Sequence, residues 1–195
     1  MATCRRVLIK DINKELLVEL IKKSYPIDRI ITLDDEYREL FLDKMNYAFI
    51  VFDASLEGWT ELDLDFNYSV KEHDNFLMNI SKNYNTTILF GYAQTTSGDQ
   101  RFLVFKNGEM IRHIYQKAYY YPNRIIMESN FGNKSSYEKN FQYPELGQNI
   151  RGFKFLDFYD DMQKMFRDYG YDGAKVKEFD EKYLHIEYLS GRNWD

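Results

Sequence analysis

The order of apolar and polar positions divides the chain into elements before any composition is considered. In "DINKELLVELIKKS", Ile12, Leu16, Leu17, Leu20 and Ile21 recur at helical spacing, and Asp11 or Asn13 is placed to cap the start. Residues 5–10 ahead of it form a short strand, and Pro26 ends the helix. The apolar run "RIITL" leads into "DDEYRELFLDKM", where Tyr37, Leu40, Phe41 and Met45 predict a second helix. Asp34, Asp35 and Glu36 stand at its start, where the helix dipole is positive, and this explains the acidic cluster more simply than a metal does. "YAFIVFD", residues 47–53, is short and continuously apolar, as a strand covered on both faces would be.

Next the period changes to two. In "WTELDLDF", Thr60, Leu62, Leu64 and Phe66 point one way, and Trp59, Glu61, Asp63 and Asp65 point the other. "SVKEHDNFLMNISKNY" returns to helical spacing through Phe76, Leu77, Ile80 and Tyr84, with Ser69 and Glu72 in capping-box positions. "TTILFGY", "QRFLVFK" and "EMIRHIYQK" then read as three antiparallel strands, the first two joined by the polar loop "AQTTSGD" and the last two by an Asn-Gly turn. Strict alternation would put Met110, Arg112, Ile114 and Gln116 on one face, and Ile111, His113 and Tyr115 on the other.

Residues 118–152 are the least regular, with one strand expected at "RIIMES" and a long loop after it. A last helix over 157–169 carries Phe158, Met162, Met165, Phe166 and Tyr169 and stops at Gly170, and "EKYLHIEYL" closes the chain as a strand. No repeat or linker separates two halves. The expectation is a single α+β domain over residues 1–195, with an antiparallel sheet, built round the meander and its Asn-Gly hairpin, packed against several helices.

Composition narrows the class. With 44% hydrophobic and 29% charged residues the chain can bury a core, and the 17 Tyr and 15 Phe suit half-buried sheet faces and contact surfaces. The net charge of −5 argues against general nucleic-acid binding and for a basic partner, although Arg112, His113, Lys117 and Arg124 could form a local basic patch. One cysteine, Cys4, excludes an internal disulfide and a cysteine-based zinc site. "MATCRRVLIKD" lacks a signal peptide's apolar stretch, and no later run is long enough for a membrane span, so the expected location is the cytoplasm.

Candidate chemistry is sparse. Trp59, Glu61, Asp63 and Asp65 form a row that could dock a basic partner, with Trp59 as anchor; the simpler reading is a solvated strand face. Asp63, Asp65 and Asn67 match the first ligands of a calcium loop, but Tyr68 replaces its glycine and Asp74 its final glutamate. Ser97, Asp99 and His113 are the residue types of a hydrolytic triad without a nucleophile-elbow sequence. His73, His113 and His185 have no metal-binding spacing. Tyr119, Tyr120 and Tyr121 could stack on a partner or cover the sheet. No metal and no cofactor is expected.

Residues 59–117 carry a Trp-led acidic strand, a helix containing "ISK" and the stretch "NTTILFGYAQTTSGDQRFLVFKNGEMIRHI". Over this third of the chain the sequence resembles uncharacterised bacterial proteins of the toxin-immunity type. The resemblance implies a small acidic, cytoplasmic binder without catalytic residues; the acidic charge makes a basic toxin domain the expected partner. Trp59, Glu61, Asp63 and Asp65, with Tyr119, Tyr120 and Tyr121, are the expected contact residues. A small hydrolase or transferase using His113, and a structural protein acting as a homodimer, are the alternatives.

Overall fold

The structure is a computed structural model that describes residues 3–34, 48–53, 58–63, 70–94, 98–119, 124–141, 143–147, 149–151, 158–173 and 182–188. Within these residues the protein is mostly β. Its strands are β1 (Thr3–Lys10), β2 (Ile27–Asp34), β3 (Ala48–Asp53), β4 (Trp59–Asp63), β5 (Thr87–Gln94), β6 (Gln100–Lys106), β7 (Glu109–Tyr119), β8 (Arg124–Gly132), β9 (Asn149–Arg151) and β10 (Lys182–Tyr188). Three helices accompany them: α1 (Lys14–Ser24), α2 (Val70–Asn83) and the short α3 (Gln163–Asp168), which continues a π-helical turn at Phe158–Met162. A 3₁₀ turn spans Tyr137–Asn140.

All ten strands join one sheet in the order β2-β10-β3-β4-β1-β5-β6-β7-β8-β9, and every ladder is antiparallel. The expected meander is therefore one part of a much wider sheet. Its Asn-Gly turn forms as the sequence requires, with Asn107 at φ 53° and Gly108 at φ 83°. The hairpin is tied to the end of α2 by Ser81, whose hydroxyl donates to the Thr86 carbonyl at 2.8 Å and accepts from the Gly108 N–H at 3.1 Å.

Each sheet face has its own core. On the front face Val7, Ile9, Phe49, Val51, Leu62, Ile88, Phe90, Leu103 and Phe105 meet Leu17, Val18 and Ile21 of α1 and Phe76, Leu77 and Ile80 of α2. On the back face Leu8, Leu89, Phe102, Val104, Ile114 and Met127 meet Met162, Met165 and Phe166. Each such side chain stabilises the fold by about 1.5–3 kcal/mol. The continuous apolar character of β3 has the expected cause: Phe49 and Val51 belong to the front core, and Ile50 between them is also buried.

Local expectations fare unevenly. The Asn13 side chain caps α1 by accepting the Leu16 N–H at 2.9 Å. The run "RIITL" is the middle of β2, and the helix expected over 157–169 is helical through residues 158–168, as a π turn followed by α3. Strict alternation fails in β7. The pairing of β6 with β7 shifts register between Val104 and Phe105, so that Ile111 packs on the back core and Met110 on the front core. Asp34, expected to open a helix over 34–45, instead ends β2; the rest of that span, the Ser69 cap, Leu64 and Phe66 lie outside the described residues.

Candidate functional site

Chemically distinctive side chains gather where α2 crosses β5, β6 and β7 on the front face. β6 pairs Arg101 with Tyr115 and Leu103 with His113, so Arg101 and His113 are diagonal neighbours on that face. From above, Asp74 of α2 accepts two hydrogen bonds from buried Arg101, at 3.3 Å to Nη1 and 2.8 Å to Nη2. The guanidinium lies between the rings of Phe90 and Tyr115, 5.9 and 5.7 Å from their centroids.

β8 completes the cluster. It sets Ser129 opposite Tyr115 and Phe131 opposite His113. Ser129 Oγ is 3.0 Å from His113 Nδ1, and the Phe131 ring meets the imidazole edge-on at 5.3 Å. His113 Nε2 and Arg101 Nε are buried and make no hydrogen bond. Burial, reinforced by the charge of Arg101, lowers the His113 pKa to about 4, so the imidazole is neutral at pH 7. Burial likewise raises the phenol of Tyr92 to about 12, and Tyr92 donates to Gln94 Oε1 at 2.6 Å. Phe131 remains 48% exposed, and Lys117 sits over the Tyr115 ring at 5.2 Å while also approaching Glu128 at 3.7 Å.

This arrangement bears directly on the expected triad. His113 has a serine beside it, but it is Ser129 of β8; Ser97 lies outside the described residues. A triad also needs a carboxylate on the second imidazole nitrogen to orient the ring. Here both oxygens of Asp74 are occupied by Arg101, and Nε2 makes no hydrogen bond.

The acidic row of β4 is not the open wall its alternation suggested. Trp59 and Glu61 are each only 6% exposed, because α3 and the segment after it cover the back face there. Trp59 meets the Tyr171 ring edge-on at 5.7 Å. Glu61 accepts from Arg6 Nε at 2.8 Å, and Arg6 also reaches Gln163 Oε1 at 3.1 Å. Asp63 is half-buried and paired with Arg5. Asp65, Tyr120 and Tyr121 lie outside the described residues, and Tyr119 is the last residue of β7. Among the described residues no group of three or more His, Cys, Asp or Glu is placed to hold a metal, and no helix is long and apolar enough to cross a membrane.

The anticipated basic patch is corrected too. Arg112 is fully buried on the back face, where Nε donates to Glu138 Oε1 at 2.9 Å, Nη1 to the Phe131 carbonyl at 2.6 Å and Nη2 to Asn130 Oδ1 at 2.9 Å. Glu138 in turn accepts from the Ser135 N–H at 2.9 Å and the Tyr143 hydroxyl at 3.0 Å. Sequence reasoning passed over Asp74, Arg101, Ser129 and Phe131 as site residues. Only the arginine carried a signal, as a charge inside the otherwise apolar strand "QRFLVFK". Compared with known proteins, the chain matches no family model, no curated protein and no solved structure.

Proposed function

We propose that the protein is a non-catalytic binder that works by protein–protein contact, in the manner of an immunity protein that neutralises a toxin domain. The observation that carries this reading is the commitment of Asp74 to Arg101. It deprives the Ser129–His113 contact of an orienting carboxylate, and an imidazole with a pKa near 4 is a weak base at neutral pH. Two further pairs, Arg6–Glu61 and Arg112–Glu138, commit buried charges in the same way.

The surface we assign to the partner is the β7–β8 strip of the front face. Phe131 is its exposed aromatic group, Tyr115 and Ser129 flank it, and Lys117 and Glu128 form its charged rim. An aromatic anchor within a polar rim is the composition expected of a protein interface. The net charge of −5 would favour the approach of a basic partner to the protein. The immunity role itself rests on the resemblance of residues 59–117 to proteins of that type.

The test is calorimetric titration of the purified protein with a candidate basic toxin domain. Phe131→Asp should weaken binding at least tenfold, as loss of an interface anchor does. Equal affinity for wild type and variant would remove the assignment of this strip. Hydrolysis of simple esters that disappears in Ser129→Ala would overturn the non-catalytic reading and favour a hydrolase.

A further inference from the structure

We propose that β2 is a self-association edge, along which two copies of the chain pair antiparallel to continue the sheet from one subunit into the next. The two ends of the sheet differ. β9 closes one end with three residues, whereas β2 closes the other with eight, Ile27–Asp34. Among the described residues β2 is hydrogen-bonded to β10 alone, so a full-length row of backbone N–H and C=O groups faces away from the sheet.

Edge strands that stay solitary are guarded by lysine, by proline or by an inward-pointing charge. Ile27–Asp34 contains neither lysine nor proline, and its two carboxylates, Asp28 and Asp34, stand near its ends, away from the centre. Its one cation, Arg29, is turned back to its own sheet, where Nε and Nη2 grip the Glu187 carboxylate of β10, the latter at 2.9 Å. At the centre stand Ile30 and Ile31, on opposite faces and both half-buried, with Ile30 packed on the front core. Both are aliphatic positions that remain partly exposed.

The strand fits a second copy of itself. A twofold axis normal to the sheet pairs like faces, so Ile30 would extend the front core of one subunit into that of the other. Overlap and charge together select the register. An axis at Arg29 sets arginine against arginine, and an axis at Ile31 sets Asp28 against Asp34. An axis at Ile30 sets Ile30 against Ile30 and the aliphatic stem of Arg29 against Ile31, with no like charges opposed.

The test uses the full chain. Light scattering between about 1 and 200 µM should show a concentration-dependent dimer. Ile31→Lys places a lysine opposite Arg29 twice in each dimer and should raise the dissociation constant about tenfold or more. Thr32→Lys, facing Asp28, should leave it little changed. In a Cys4→Ser background, mild oxidation should cross-link Ile30→Cys, whose Cα atoms would stand about 4.5–5.5 Å apart across the axis. Thr32→Cys, four residues from its own copy along the strand direction, should not cross-link. If Ile31→Lys fails to fold, the cross-linking pair decides the matter. A protein that stays monomeric at all concentrations overturns the proposal. So does a dimer that is indifferent to Ile31→Lys, or one that cross-links at 32 as readily as at 30.

Discussion

Arg112 of β7 and Glu138 of the 3₁₀ turn, twenty-six positions apart, form an ion pair with no exposed side-chain surface on either partner. Together with Asn130, Ser135 and Tyr143 they close a hydrogen-bonded network that clamps the segment after β8 onto the back of the sheet. Removing one partner strands a buried charge. Glu138→Ala should therefore destabilise the protein by about 3–5 kcal/mol. The double variant Arg112→Met with Glu138→Leu should recover part of the loss, because it removes both charges but leaves the Ser135 N–H, the Tyr143 hydroxyl, the Asn130 side chain and the Phe131 carbonyl without these hydrogen bonds. Urea unfolding of the three proteins checks both statements.

Gly132 sits just beyond this clamp, at φ 86°, and a Cβ there would fall 2.0 Å from the Ile111 carbonyl oxygen. That oxygen also accepts the Asn133 N–H at 3.2 Å, so the turn has little freedom to move away. Gly132→Ala should cost about 1–3 kcal/mol from backbone strain and more from the clash. The same denaturant midpoints measure it.

Acid should weaken the fold through its histidines. Unfolded His113 titrates near 6.5, while folded His113 titrates at about 4. Between those values the unfolded chain takes up a proton that the folded chain refuses. The contribution is therefore complete above about pH 6.5 and lost as pH falls towards 4, on the order of 3 kcal/mol at most. His113→Gln should flatten the fall in stability between pH 7.5 and 4.5. A residual slope should remain, because burial depresses His185 in the same sense. At lower pH, Glu187 adds to the loss: its hydrogen bond from Arg29 lowers its pKa, and that stabilisation vanishes as it protonates.

Arg101 is the test of the site's electrostatics. Arg101→Gln removes a positive charge beside His113 and frees the Asp74 carboxylate. Both changes favour imidazolium, so the His113 pKa should rise from its value near 4. An NMR titration of the imidazole follows this directly, and an unchanged pKa would show that burial alone sets it.

What was legible in the sequence was local. Asn107-Gly108 and Asn13 announce their structures because a positive φ and a helix cap are decided within a few residues. Trp59, Glu61 and Asp63 do share the face opposite Leu62, yet nothing nearby in sequence records that Arg6, Gln163 and Tyr171 cover that face. Burial of an alternating strand is set by what arrives from elsewhere in the chain. The bulge that reverses Met110 and Ile111 escaped for a related reason, since an extra residue in one strand is defined only against its partner. Asp74 and Arg101 were likewise invisible as a pair, being twenty-seven positions apart on a helix and a strand.

The place of β10 has a consequence for synthesis. It lies between β2 and β3, which occur more than a hundred residues earlier and, among the described residues, are joined in the sheet only through it. At about 5–20 residues per second, a ribosome would deliver it on the order of ten seconds after β3. Until then β2 and the outer margin of β3 wait with unmatched backbone, a window in which a chaperone or a neighbouring nascent chain can reach them. Such non-local pairing also predicts slow refolding, because the long intervening loop must close before its contacts repay the lost entropy.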